Sequence, residues 1–262
     1  MTSVLFTGPN GRMNQVIRPA LAGEFERVVL YSRSPVDVPH AGESVVLGEL
    51  DDLDRLAEAM DGVDVVVHMA GKADEGEWEE ILASNIHGTY CVLEAARRAG
   101  VRRVVYASSH HITGLYRADE PIGPDDPVRP DSYYGVSKAF GEALCRLYHD
   151  KWGTEIVSLR IGAFRPRPED TRHLSVWLSE PDGVRLLRAA ILAEDVSFAV
   201  VYGVSANRRS WWDPAVAAKA IGYRPLDDAE AWADRVEATP EGPASTYQGG
   251  VFASPDYRGG VW

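Results

Sequence analysis

Short apolar runs rich in β-branched residues alternate with stretches of helical periodicity from the start of the chain. Near-continuous apolar runs of this length are typical of strands whose sheet is covered by helices on both faces. The predicted strands contain Val4–Phe6, Val28–Tyr31, Val45–Leu47, Val63–His68, Val104–Ala107 and Ile156–Arg160. The pattern therefore predicts an α/β fold with a doubly wound parallel sheet of the Rossmann type.

Helical periodicity separates these runs. The stretch Asp51–Met60 has its apolar residues on one face and aspartates in its first turn, where they suit the positive end of a helix. A longer stretch, Trp78–Ala99, ends in two arginines followed by Gly100, which is a helix stop signal. Ser132–Trp152 and Val184–Leu192 predict two further helices.

Composition and charge narrow the possible partners. The chain of 262 residues has 27 Lys and Arg against 39 Asp and Glu, a formal net charge of −12. This excess repels a phosphate backbone, so no nucleic-acid partner is expected. The longest apolar tract, Ala189–Val204, is interrupted by two acids, and the first residues have no basic region, so we expect neither a membrane span nor an export signal. Cys91 and Cys145 share no metal-like spacing, which suits reduced thiols in a cytoplasmic protein.

A glycine loop follows the first predicted strand. In Thr7-Gly-Pro-Asn-Gly-Arg-Met-Asn14, Gly8 permits a tight turn, and Gly11 lets the backbone approach a pyrophosphate at the start of a helix. Asn14 replaces the third glycine of this loop type. A two-glycine loop is a weak signal alone, but its place after the first strand favours a dinucleotide site.

The composition and the pattern of the sequence change after residue 162. The remainder is irregular and rich in Pro, Gly and Trp, although Phe198–Tyr202 predicts one further strand. We therefore expect residues 1–162 to form a dinucleotide-binding Rossmann core. Residues 163–262 are expected to form a small substrate-covering region that packs on this core and does not fold independently.

The end of the second strand indicates which dinucleotide binds. An NAD site has Asp or Glu here to bind the ribose hydroxyls, whereas this chain has Ser32 followed by Arg33. Arg33, with Arg12 from the loop, could hold a 2′-phosphate through charge-assisted hydrogen bonds. NADP is therefore favoured over NAD, although Arg33 could also be an ordinary surface residue.

A catalytic constellation follows the fifth predicted strand. Ser109 stands near the end of this strand, and Tyr134 and Lys138 are four positions apart at the start of a predicted helix, on one helical face. A free tyrosine has a pKa near ~10, so a tyrosine base needs a neighbouring cation to lower that pKa. Lys138 is expected to supply this charge.

These motifs identify the chain as similar to the extended short-chain dehydrogenases/reductases, and more narrowly to the uronate dehydrogenases. The superfamily motifs are the glycine loop, His68-Met-Ala-Gly71, Asn85-Ile-His-Gly, Ser109 and Tyr134-x-x-x-Lys138. The more specific stretches are Ala107-Ser-Ser-His-His-Ile-Thr-Gly, Arg129-Pro-Asp-Ser-Tyr-Tyr-Gly-Val-Ser-Lys, Leu174-Ser-Val-Trp-Leu-Ser and Tyr247-Gln-Gly-Gly. The resemblance implies oxidation of C1 of a pyranose uronic acid to its lactone, with hydride transfer to a nicotinamide.

The resemblance also implies roles for individual residues. Tyr134 takes the proton, Ser109 holds the reacting oxygen, Asn85 maintains a proton-relay water, and Arg172 binds the uronate carboxylate. Cofactor-binding positions are Gly8, Asn10, Gly11, Arg12, Met13, Ser32, Arg33, Glu49, Leu50, Met69, Ala70, Gly71, Tyr134, Lys138 and Ile161. Substrate-binding positions are Lys72, Ala73, Ser109, His110, His111, Ala163 and Arg172.

The chain departs from the usual uronate dehydrogenase pattern around the sugar. His110 replaces an asparagine between Ser109 and His111, Ala73 and Ala163 replace pocket serines, and Lys72 adds a cation. These changes leave the proposed catalytic residues intact, so we expect retained catalysis with altered specificity, extending to another anion such as a sulfonate.

Other functions remain open at this stage. A nucleotide-sugar epimerase, reductase or dehydratase of the same superfamily is one alternative, and a dinucleotide sensor without catalysis is another. No metal site is expected, because adjacent His110 and His111 at a strand end should point to opposite sides, away from a shared ion with His68. Relatives often self-associate through two long helices, which suggests a homo-oligomer.

Overall fold

Seven parallel strands form one sheet within the part of the chain that the structure describes. The computed structural model describes residues 2–36, 40 and 42–260, so residues 1, 37–39, 41 and 261–262 of the two predicted regions lie outside it. The strands of the sheet are β1 (Ser3–Thr7), β2 (Arg27–Ser32), β3 (Glu43–Leu47), β4 (Val65–His68), β5 (Arg103–Ser109), β6 (Glu155–Ile161) and β9 (Phe198–Gly203). Their order, β3-β2-β1-β4-β5-β6-β9, confirms the predicted doubly wound sheet.

Helices cover both faces of this sheet. The helices are α1 (Arg12–Ala20), α2 (Leu53–Ala59), α3 (Trp78–Ile81), α4 (Gly88–Arg98), α5 (Tyr133–Trp152), α6 (His173–Val176), α7 (Glu180–Leu192), α8 (Pro214–Ile221) and α9 (Pro243–Thr246). Side chains alternate along each strand, so Val4 and Phe6 of β1 pack with α1 and α7, whereas Leu5 packs with α2 and α4. Two hydrophobic cores result, one on each face.

The third strand is less buried than its apolar sequence predicts. Val45 and Leu47 expose 37% and 51% of their surface. The reason is position, because β3 pairs with β2 and, among the described residues, forms the edge of the sheet. The expectation of cover on both faces is therefore wrong for β3.

The predicted helix Trp78–Ala99 contains an irregular turn. A π-helical turn, Leu82–His87, connects α3 to α4 and contains the predicted site residue Asn85. Such turns are rare and occur often at functional sites. The helix ends as predicted, with Gly100 at a φ of +70° after the two arginines.

The region after residue 162 contributes to the same sheet. The strand β9 pairs with β6 from Ile156 to Ile161, and α7 and α8 pack on one face. Two short strands, β7 (Ala163–Phe164) and β8 (Trp177–Leu178), form a separate parallel pair. That residues 163–262 do not fold independently stays a prediction. Across the described residues, no helix is long and apolar enough to cross a membrane.

Candidate active site

The glycine loop forms a tight turn at the carboxyl edge of the sheet. Gly8 has a φ of +66°, and a Cβ there would lie 2.9 Å from the Cα of Ala70, so a larger residue does not fit without a shift. Gly11 precedes α1, whose first N–H groups and dipole favour a phosphate. Asn14 donates from its amide to the carbonyl of Gly8 at 3.0 Å and so braces the turn. The loop fits the pyrophosphate of a dinucleotide.

The end of β2 lies beside this loop. Ser32 is buried, and its Oγ accepts a hydrogen bond from the N–H of Ser34 at 3.3 Å. Asn10 donates from its amide to the Ser34 Oγ at 3.2 Å, which ties the glycine loop to the residues after β2. Arg12 and Arg33 are exposed. A phosphate-binding role for these two arginines stays a prediction.

Ser109, Tyr134 and Lys138 meet in one cleft, as predicted. Ser109 is the last residue of β5, and the helix α5 presents Tyr134 and Lys138 on one face. Ser109 and Tyr134 both line this cleft. Lys138 Nζ lies 5.6 Å from the centroid of the Tyr134 ring and donates to the carbonyl of Ala107 at 2.8 Å.

Burial shifts the pKa values of Tyr134 and Lys138. Burial raises the pKa of Tyr134 to about 12, and the neighbouring Ser109 only partly offsets this rise. Burial also lowers the pKa of Lys138 to about 8. Desolvation of the phenolate is thus the largest influence on the pKa of Tyr134, and a lowering of that pKa by Lys138 stays a prediction.

Asn85 joins three segments around the cleft. Its Oδ1 accepts from the N–H of Lys72 at 2.7 Å, and its Nδ2 donates to the Lys72 carbonyl at 3.0 Å and to Ser137 Oγ at 3.1 Å. Lys72 Nζ pairs with Glu80 at 2.7 Å. The side chain of Asn85 thus fixes the loop after β4 against α5. Its proton-relay role stays a prediction.

His110 and His111 lie side by side, contrary to expectation. They begin a 3₁₀ turn, His110–Thr113, and do not continue the strand, so their ring centroids are 4.1 Å apart. His111 Nδ1 hydrogen-bonds to Asp131 at 2.7 Å, and its ring stacks on Phe252 at 3.8 Å. The prediction that the two rings point to opposite sides is wrong. Among the described residues, no group of three or more His, Cys, Asp or Glu side chains could hold a metal ion.

Arg172 lies behind His110. Its Nη2 is 2.9 Å from His110 Nε2, and its Nε and Nη2 donate to the Gln248 carbonyl at 2.9 and 2.6 Å. It lines a second cavity together with Thr171, Ser175, Trp211, Thr239 and Tyr247. Burial lowers the pKa of Arg172 to about 10. Direct contact between Arg172 and a substrate stays a prediction.

The remaining predicted residues divide between the cleft and its surroundings. Predicted residues lining the cleft are Gly8, Gly11, Arg12, Met13, Met69, Gly71, Lys72, Ala73, Ser109, His110, His111, Tyr134, Lys138 and Ile161. Ala163 packs instead in a hydrophobic cluster with Val176 and Trp212. The Glu49 carbonyl accepts from the Tyr31 hydroxyl at 2.9 Å, and Leu50 packs against the core below β2.

Two acids that the sequence did not single out, Asp74 and Glu75, lie beside Tyr134. Glu75 accepts from the backbone N–H of Tyr134 at 2.9 Å, and Asp74 accepts from the Tyr257 hydroxyl at 2.6 Å and the N–H of Gly260 at 2.9 Å. These bonds hold the C-terminal segment over the start of α5. The sequence could not predict the hydrogen-bond partners of these two acids, because Tyr257 is 183 positions away from Asp74.

Comparison with known proteins agrees with this geometry. The model of the NAD dependent epimerase/dehydratase family matches residues 4–180. The uronate dehydrogenase of Pseudomonas putida is 43% identical over 256 residues, which cover 95% of each chain. The chain is a uronate dehydrogenase-like member of this family. The resemblance seen in the motifs is therefore confirmed over nearly the whole length.

Two further relatives support the match. A solved mutant of uronate dehydrogenase from Agrobacterium tumefaciens, complexed with NAD, superposes with a TM-score of 0.91 at 39% identity, and the match covers 98% of this chain and 99% of that one. The L-arabinose 1-dehydrogenase (NAD(P)(+)) of Haloferax volcanii is 35% identical, and the match covers 87% of this chain and 98% of that one. Sugar dehydrogenases thus share both the fold and much of the sequence.

Proposed function

We propose that this protein is an NAD(P)-dependent oxidoreductase that oxidises C1 of a hexuronate, or of a related anionic sugar, to the lactone. The observation that carries the proposal is the meeting of Ser109, Tyr134 and Lys138 in a cleft that begins at the glycine loop. The uronate dehydrogenase relatives at about 40% identity support the substrate class. An epimerase, a reductase or a sensor is a less favoured alternative.

The side chains divide the reaction between them. The Ser109 hydroxyl holds the C1 oxygen, and Tyr134 Oη takes its proton. Lys138, when protonated, stabilises the phenolate that this step requires. A nicotinamide dinucleotide, when bound, would supply the acceptor for the hydride. The start of α1 and the backbone at Gly11 would hold its pyrophosphate.

An absorbance assay for reduced nicotinamide tests the proposal. Glucuronate, galacturonate, sulfonated sugars and neutral aldoses are each offered with NAD and with NADP. We expect turnover of at least one uronate, and a loss of about 10²–10⁴-fold in kcat for Tyr134→Phe. The matched control is Tyr133→Phe, because Tyr133 is 54% exposed and its activity should be unchanged.

Two results would contradict the proposal. Stoichiometric binding of a dinucleotide without turnover of any sugar, unaffected by Tyr134→Phe, would favour a sensor. Activity confined to neutral sugars would remove the carboxylate-binding role of Arg172 and the anionic substrate class with it.

We further propose that specificity at both ends of the cleft differs from that of typical uronate dehydrogenases. The sugar end carries Lys72, Ala73 and His110, and the adenosine end carries Ser32 and Arg33. A serine in place of a carboxylate brings no negative charge that would repel a 2′-phosphate, and the exposed guanidinium of Arg33 suits that phosphate. NADP is therefore the preferred cofactor in this proposal.

The cofactor preference is tested with Ser32→Asp. A carboxylate at this position accepts hydrogen bonds from ribose hydroxyls and repels a 2′-phosphate. We expect the ratio of kcat/KM for NADP to kcat/KM for NAD to fall by at least about tenfold. Ser197→Asp, at an exposed position just before β9 on the opposite edge of the sheet, is the control. An unchanged ratio in Ser32→Asp would refute the preference.

The protein is also proposed to be a cytoplasmic homo-oligomer. Cys91 and Cys145 are buried free thiols, which suits a reducing compartment. The pair of long helices, α3 to α4 and α5, exposes large apolar side chains that a second copy could cover.

A further inference from the structure

His110 connects the catalytic cleft to Arg172 through one imidazole ring. Its Nδ1 lies 3.0 Å from the carbonyl oxygen of Ile161, and its Nε2 lies 2.9 Å from Arg172 Nη2. A carbonyl oxygen only accepts, so Nδ1 carries the ring proton and Nε2 accepts from the guanidinium. The two contacts together fix the tautomer of His110.

The surroundings hold this ring in one place. His110 is 4% exposed, and its ring lies 4.1 Å from the ring of His111 and 5.7 Å from that of Trp212, by centroids. The Ile161 carbonyl belongs to the end of β6, directly beside Ser109 in the sheet register. Burial and the nearby Arg172 also lower the pKa of His110 well below its usual value, so the ring stays neutral.

The guanidinium is held from a second direction. The Gln248 carbonyl accepts from both Nε and Nη2 of Arg172, and the Gln248 side chain donates to the carbonyls of Arg117 and Glu120 at 3.2 and 2.8 Å. The backbone N–H of Arg172 donates to Thr239 at 2.9 Å. Nε and both Nη2 protons of Arg172 are thus committed to groups of the described residues.

We propose that His110, which lines the cleft, is a positioning residue that holds Arg172 behind it in the second cavity and thereby sets specificity for anionic sugars. The inference rests on the proposed function, because it assigns the substrate's anionic group to Arg172. In this arrangement the Nε and Nη2 edge of Arg172 is held in place by Gln248 and His110. The anion is bound end-on through Nη1. An asparagine amide can rotate to bind the sugar, whereas the His110 imidazole already has both nitrogens engaged.

The test compares variants that keep or remove the acceptor for Arg172. His110→Phe keeps a ring against Trp212 but removes Nε2, and His110→Gln offers an amide oxygen at a similar reach. With a uronate that the wild type turns over, we expect KM for the sugar to rise about tenfold in His110→Phe, and to recover to within about threefold of wild type in His110→Gln. The kcat and the KM for the nicotinamide should change less than about twofold.

A double-mutant cycle isolates the contact with Arg172. In an Arg172→Ala background, His110→Phe should change the sugar KM by less than about twofold, because the side chain that it positions is gone. His149→Phe is the matched control, since His149 bonds to the Thr154 carbonyl away from the cleft. His110→Leu repeats the loss of the acceptor with a different shape, and melting temperatures show that each variant is folded.

The outcomes decide whether His110 positions Arg172. Additive effects in the cycle, a lower sugar KM in His110→Phe, or a loss confined to kcat would overturn the positioning role while the proposed function stands. A wild-type protein that turns over no anionic sugar would remove both the proposed function and this inference.

Discussion

At the scale of the residue, burial sets the protonation that the reaction needs. Tyr134 has a pKa of about 12 and Lys138 a pKa of about 8, so the first proton that leaves the pair as pH rises comes mainly from Lys138. The singly deprotonated pair includes a minor form in which Tyr134 is the phenolate and Lys138 keeps its charge. In the proposed mechanism, this minor form accepts the substrate proton.

A pH profile of sugar oxidation should therefore report the pair. Below pH about 8 the pair holds both protons, so kcat/KM should fall about tenfold for each lower pH unit, and above pH about 8 it should level off. In Lys138→Met the group that titrates near 8 is lost, and the remaining activity should keep rising toward the pKa of Tyr134. The exposed Lys151→Met is the control. A plateau near pH 8 that survives Lys138→Met would contradict this assignment.

Some residues of the candidate site could be predicted from local motifs. Others could not, because their place in the site depends on long-range contacts. Tyr134 and Lys138 could be predicted because one helical turn separates them, and Gly8 because its turn follows a strand. The bond from Tyr134 to Glu75 joins positions 59 apart, and no local pattern encodes it. Desolvation of Tyr134 was equally hidden, since it depends on everything that packs around the ring.

At the scale of the element, periodicity predicted where helices and strands lie but not what surrounds them. The apolar run of β3 has the composition of a central strand, yet only its place in the sheet order leaves Leu47 51% exposed. The sequence after Ser109 predicts a continued strand, but the chain forms a 3₁₀ turn there. The N–H of His111, at the start of this turn, donates to the Ser109 Oγ at 3.2 Å. That turn brings the rings of His110 and His111 together.

The π-helical turn between α3 and α4 was not evident from the sequence for a similar reason. Its sequence, Leu82–His87, keeps helical periodicity, so pattern alone predicts an unbroken helix. What distinguishes the turn is the set of bonds from Asn85 to Lys72 and Ser137, which come from outside the helix. Tertiary contacts thus decided the local geometry at this position of the site.

At the scale of the whole molecule, the chain carries a net charge of −12, whereas the cleft and its surroundings contain several cations. Lys138 is buried, whereas Arg172 and Lys72 lie near the cleft in contact with His110 and Glu80. A small anion therefore meets cations only where the fold gathers them. The acidic surface also makes copies of the chain repel one another, so any self-association needs an apolar contact.

The two long helices offer that contact. Exposed apolar side chains on them are Trp78, Leu82, Tyr90, Tyr133, Val136, Phe140, Leu147 and Trp152. Trp78 and Tyr133 touch edge to face at 5.6 Å between ring centroids, so the two helices form one surface. Apolar patches of this kind are usually covered by a partner, and a helix pair suits a two-fold contact with a second copy.

Light scattering coupled to size exclusion tests this surface. We expect the wild type to elute at twice the chain mass of 28.7 kDa or a higher multiple, and the double variant Val136→Glu with Phe140→Glu to elute as a single chain, because two buried carboxylates would oppose each other across the contact. Val216→Glu on α8, where Val216 is 37% exposed, is the control for an added charge and should leave the mass unchanged. A wild type with the mass of one chain, or a double variant with the wild-type mass, would exclude these helices as the interface.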